Sequence, residues 1–176
     1  EPVDRIGYLG DTYQDGVKLK KRRDHFINPS FFYDKVTENL GYDIFGAGQT
    51  MALAGFAHQF PCKNYITVDP DRYDDFIINH DQTVFGMDNI PRFDEKDTET
   101  LLEEPWINLA RQAQETLEED MLHLAWLSRV KTGLRNLCVA GGAALNCMIN
   151  RKIIESGYFA DIFVQPAASD EGIPLG

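Results

Sequence analysis

The chain has 176 residues, 43% of them hydrophobic, enough to bury one sizeable core, so a single domain is expected. Its formal net charge of -11 weighs against a nucleic-acid-binding surface, which needs clustered Lys and Arg. There is no run of ~18 apolar residues and no basic-then-apolar leader, which argues against a membrane span or signal peptide; three cysteines without a CxxC suit reduced thiols in a cytoplasm.

In chain order, residues 5–10 read as a strand, and Asp15-Gly16 suggests a hairpin into a second strand over residues 17–23. The basic run Lys18-Leu19-Lys20-Lys21-Arg22-Arg23 fits a solvated or edge-protecting strand face. Ser30 is a candidate N-cap for a helix over residues 31–39, closed by Leu40-Gly41, and a second helix is expected over residues 50–57. Residues 63–89 hold a plausible strand at 64–68 and a helix or strand near 73–79, with aromatics spaced by acids. None of His25, His58, His80 and His123 lies four residues from another, so all four read as ordinary histidines.

Glu103-Glu104-Pro105 opens the longest helix, with Pro at the first helical position. Trp106, Leu109, Ala113, Leu117, Met121, Leu124 and Leu127 form its core-facing stripe, and Gly133 closes it. This helix is expected to be scaffold. Leu137-Cys138-Val139-Ala140 is apolar without alternation, as a strand covered on both faces would be. Cys138 and Cys147 read as packing residues.

Gly141 and Gly142 follow that strand, and neither has a Cβ, so a ligand can approach the backbone closely. Ala143, Ala144 and Leu145 are expected to start a helix whose free N–H groups make an anion site for a nucleotide phosphate. Asn146, four residues after Gly142, would offer its amide to the same ligand from one turn up. Two glycines would equally serve a tight, ligand-free turn. Downstream, Ile162-Phe163-Val164 reads as a second buried strand stopped by Pro166. Ser169 or Asp170 could cap the helix that follows, with Glu171 in its first turn; alternatively Asp170, at a strand's carboxyl end, would hold a divalent metal.

The wording of this stretch is more specific than its spacings. AGGAALNCMINRKI followed by FVQPAASDEGIPLG resembles the NodU/CmcH carbamoyltransferase family, with its GGvALNc..N and QPaa.D.G..lGaa stretches. Upstream, Ser30 to Thr37, Leu40-Gly41 and Met51 to Ala54 resemble the family's lY..vT..lGf and K.MgLA. The chain departs from the pattern at Ala47 and Gln49, where the family has Glu and Lys, and at Ala52, usually Gly. The resemblance implies an α/β fold of the sugar kinase, Hsp70 and actin type (Kae1-like), of which residues 1–176 would be a single partial domain, the later portion.

The implied activity is ATP-dependent: carbamoyl phosphate and ATP give carbamoyl adenylate, which carbamoylates a hydroxyl of a small natural product. The implied cofactors are ATP, at Gly141, Gly142 and Asn146, and a divalent metal, iron, at Asp170. No catalytic residue is assigned. Residues 63–89 could shape the acceptor pocket. The family's HxxxH histidines are absent, and a YrdC-like domain would lie beyond Ile173-Pro174-Leu175-Gly176, so the isolated chain is expected to be inactive; a homodimer is compatible. The expected partners include neither nucleic acid nor membrane. The rivals are a non-catalytic nucleotide-binding or interaction module and a Kae1-like threonylcarbamoyl transferase acting on transfer RNA, which the acidity disfavours; the QPAASDEG wording disfavours a sugar kinase.

Overall fold

A computed structural model describes residues 13–14, 17–18, 29–43, 45–57, 73–74, 77–78, 92–94 and 99–175. The expected strands at 5–10 and 64–68, most of the basic run, and His25, His58 and His80 lie outside the described residues. Two short antiparallel pairs stand apart in the element order. The strand β1 (Tyr13–Gln14) pairs with β2 (Val17–Lys18) around the expected hairpin. The second pair, β3 (Tyr73–Asp74) with β4 (Ile77–Ile78), resolves the helix-or-strand stretch as strand.

The helix α1 (Pro29–Asn39) starts earlier than expected. Pro29 occupies its first turn, where a missing N–H costs nothing, so Ser30 lies inside the helix rather than capping it. The end is as expected. Gly41 takes φ 81° and donates to the Glu38 carbonyl at 3.0 Å, while the Tyr42 N–H reaches Thr37 O at 3.2 Å, a Schellman closure. A Cβ at Gly41 would also press on the Phe93 carbonyl oxygen at 2.8 Å. The helix α2 (Ala47–Ala57) begins before the expected Thr50, because Asp43 turns the chain into it by accepting the Phe45 N–H at 2.9 Å. Thr50, fully buried, sits 3.0 Å from the Thr37 hydroxyl and ties α2 to α1.

The helix α3 (Trp106–Thr132) is the scaffold the periodicity predicts, closed by Gly133 at φ 66°. Pro105 stands at its N-cap, one place before the expected position. Leu109, Ala113, Leu117 and Leu127 are buried and Met121 and Leu124 half-buried. Truncating a fully buried leucine such as Leu109 to Ala would cost about 2–5 kcal/mol. Packed by α1, α2 and the helix α4 (Cys147–Glu155), α3 is buried nearly all round in its first half. That enclosure takes in polar side chains too, among them Asn108, Gln112, Gln114, Glu118 and Asp120.

Beyond α3, β5 (Asn136–Val139) and β6 (Asp161–Val164) pair in parallel, with α4 as the crossover. The class is therefore α/β. The expectation that both strands are covered on both faces is corrected: Leu137 and Ile162 pack on the core, whereas Cys138 and Phe163, which face each other in the register, are exposed. Among the described residues, α3 and α4 cover one face and nothing lies over the other. Cys138 and Cys147 are thus exposed thiols, not packing residues.

Candidate functional site

Parallel pairing places the turns after β5 and β6 side by side at the strands' carboxyl ends, the usual position of ligand crevices in α/β sheets. Two backbone bonds join them. Gln165 N–H donates to Val139 O at 3.2 Å, and Gly141 N–H donates to Ala168 O at 2.6 Å. Gly141 has φ 99° and ψ 166°, a conformation essentially reserved for glycine. Gly172, in the second turn, is required for a different reason: a Cβ there would strike the Ala167 carbonyl oxygen.

The helix expected to open at Ala143 begins later. Residues Gly142–Leu145 form a 3-10 turn and α4 starts at Cys147, because Asn146 adopts the extended backbone of an N-cap and its side chain takes over the helix start. Asn146 Oδ1 accepts from Met148 N–H at 3.2 Å and from Ile149 N–H at 3.3 Å. So Asn146 is not one turn up a helix; it is the hinge between the 3-10 turn and α4. Asn150 clamps the same corner by donating to Ala144 O at 2.7 Å. The free N–H groups at this turn are correspondingly few. Gly141 N–H is engaged, whereas the Gly142 and Ala143 N–H groups, at the open end of the 3-10 turn, have no partner among the described residues. A Cβ on Gly142 would meet nothing within 4 Å among the described residues, which leave the space above the turn open.

Asp170 is exposed and, with Glu171, lies in the first turn of the 3-10 helix Asp170–Leu175. Among the described residues, no three His, Cys, Asp or Glu side chains gather as a metal site. With only the neighbouring Glu171 beside it, the exposed Asp170 carboxylate suits at most a hard divalent cation completed by phosphate oxygens and water. An iron centre would need further donors outside the described residues.

Sequence reasoning missed what stands behind the turn. Gln114 of α3 is buried and pairs amide to amide with Asn146: Asn146 Nδ2 donates to Gln114 Oε1 at 2.9 Å and Gln114 Nε2 to Asn146 Oδ1 at 3.2 Å. Gln114 Nε2 also donates to Glu118 Oε1 at 2.7 Å, and Glu118 Oε2 meets Lys152 Nζ at 2.6 Å. Gln114, Glu118 and Lys152, with Arg111 and Arg151, help line a cavity of about 280 Å3 between α2, α3 and α4. The Gln114 and Glu118 spacing of four was the available signal: two polar positions on one face of a helix that otherwise reads as core.

The parallel pair sets a glycine turn and an acidic turn at adjacent strand ends, the position where ligands bind in open α/β sheets. Residues 73–176 match the family described as carbamoyltransferase N-terminus, more than half of the chain, and the chain belongs to that family. Nodulation protein NolNO of Sinorhizobium fredii is 32% identical over 149 residues, 82% of this chain and 21% of that protein. Nodulation protein NolO of Bradyrhizobium diazoefficiens is 48% identical over 69 residues, 39% of this chain and 13% of that protein. Nodulation protein U of Sinorhizobium fredii is 43% identical over 44 residues, 25% of this chain and 8% of that protein. The chain spans about a fifth or less of the length of these relatives.

Proposed function

We propose that this chain is the later part of a Kae1-like, actin-type domain of an ATP-dependent O-carbamoyltransferase. Its family membership supports carbamoyl transfer. The observation that carries the nucleotide part is the open space over Gly142, with two unengaged N–H groups beside it at the end of β5. In this reading the Gly142 and Ala143 N–H groups donate to a phosphate oxygen of ATP, with the remaining Asn146 N–H as a further donor. Asp170 contributes one carboxylate to a divalent cation on the same phosphates. Carbamoyl adenylate then passes its carbamoyl group to a small-molecule hydroxyl, releasing AMP, and a YrdC-like region handles carbamoyl phosphate.

The test is turnover by the full-length protein supplied with ATP, carbamoyl phosphate and a panel of hydroxylated natural products. AMP release that depends on both carbamoyl phosphate and an acceptor supports the reading. Carbamoyl transfer that proceeds without ATP, or no transfer at all, overturns it.

A further inference from the structure

The hydrogen bonds around Gln114 form a chain whose two ends dictate the middle. At one end is Glu118, with its side chain 6% exposed. A carboxylate only accepts, so Gln114 must turn Nε2 toward it. At the other end the α4 N–H groups of Met148 and Ile149 only donate, so Asn146 must turn Oδ1 toward them. With both amides fixed this way, Asn146 Nδ2 meets Gln114 Oε1; reversing either amide would set donor against donor and acceptor against acceptor.

Tyr33 of α1 adds its hydroxyl to Gln114 Oε1 at 3.0 Å. Burial, with the negative Glu118 and Asp34 nearby, pushes its phenol well above the ordinary range, so it remains a donor. Gln114 thereby spends both N–H groups and both lone pairs inside the protein, on three helices. A buried amide must pair its donors and acceptors whatever its role; here those pairs also fix which way Asn146 faces.

We propose that Gln114 is a positioning residue for the glycine turn. It does not reach the ligand; it sets the rotamer and polarity of Asn146, so that the second Nδ2 hydrogen, which has no partner among the described residues, serves a phosphate group bound at Gly142. This inference deepens the nucleotide reading above and rests on it. Glu118 and Lys152 belong to the same device, since they fix the direction in which Gln114 faces.

The experiment is a double-variant cycle on the full-length protein, with ATP titrated calorimetrically and a thermal melt for each variant. Gln114→Met keeps the length and apolar volume of the side chain and removes its polarity. Asn146→Ser keeps a capping oxygen and removes the amide. Leu117→Ala, on the same helix, controls for destabilisation alone. The expected result is that Gln114→Met weakens ATP about 10-fold, that Asn146→Ser does the same or more, and that the double variant is no weaker than Asn146→Ser, because one residue acts through the other. Leu117→Ala should lower the melt without changing ATP affinity. Unchanged affinity in Gln114→Met, or losses that add in the double variant, overturn the inference while the nucleotide site stands. If neither Gly142→Ala nor Asn146→Ser changes ATP affinity, the nucleotide reading falls and this inference with it.

Discussion

Gly142→Ala separates a nucleotide cradle from a packing turn, and the structure sets the magnitudes. A Cβ built on Gly142 finds no atom of the described residues within 4 Å, and the residue does not take the positive φ that disfavours other side chains. Substitution therefore costs the fold nothing by contact; by restricting the unfolded chain, alanine should stabilise it by about 0.4–1 kcal/mol. For a domain of this size that is a rise of about 1–4 °C in melting temperature. The same methyl would occupy the space where a phosphate oxygen meets the Gly142 and Ala143 N–H groups. A loss of ~2 kcal/mol there weakens ATP about 30-fold. Gly141→Ala supplies the contrast. At φ 99° and ψ 166° a side chain is strained by about 1–3 kcal/mol, so this variant should melt lower. Calorimetric titration of the full-length protein with ATP, paired with thermal melts, reads both quantities. Gly142→Ala with unchanged ATP affinity and an unchanged or raised melt would refute the cradle, and a lowered melt would refute the steric reasoning.

Asn146→Ser keeps the cap but leaves the buried Gln114 amide short of partners, so stability should fall by about 1–3 kcal/mol, while the ATP affinity of the folded full-length protein falls with the lost N–H donor. Asp170→Asn should reduce bound divalent metal on the order of 10-fold by elemental analysis, with little change in melt, since Asp170 is exposed; retained metal with only a lowered melt would make it a helix-start residue. Asp34 has its carboxyl pushed up by partial burial and then by Glu38, so it favours the protonated form more in the folded than in the unfolded chain. Its unfavourable contribution is absent well below the ordinary carboxylate range and grows as pH rises through the shifted value; Asp34→Asn should therefore raise the melt slightly at pH 7, and the gain should vanish at acid pH.

What the sequence disclosed depended on whether an element's partners lie nearby in the chain. The α3 stripe, the Gly41 and Gly133 closures and the antiparallel pairing of β1 with β2 all follow from local chemistry, and all are present. The two turns were legible as neighbours because strand, crossover and strand fall within 40 residues of sequence. Asn146 was misplaced because the alanines before it suggest helix, yet an asparagine that captures two N–H groups ends the 3-10 turn there instead. Gln114 was missed: beyond Glu118, four residues on, its partners lie 32 and 81 residues away, and a polar residue in a helix reads as surface until those distant partners are placed. That one strand face has no cover among the described residues was unreadable for the converse reason. An apolar run states that both faces suit burial, and says nothing of whether anything within the chain covers them.

The bond from Gly141 N–H to the Ala168 carbonyl ties the two turns to each other. Neither can swing away from the other while that bond holds, so each separation of the glycine turn from the acidic turn requires breaking it. The exchange of the Gly141 amide with heavy water counts those events directly. Two loops that look independent along the chain are thus joined by one main-chain bond, and a ligand that binds only while it is intact slows the exchange in proportion to its occupancy.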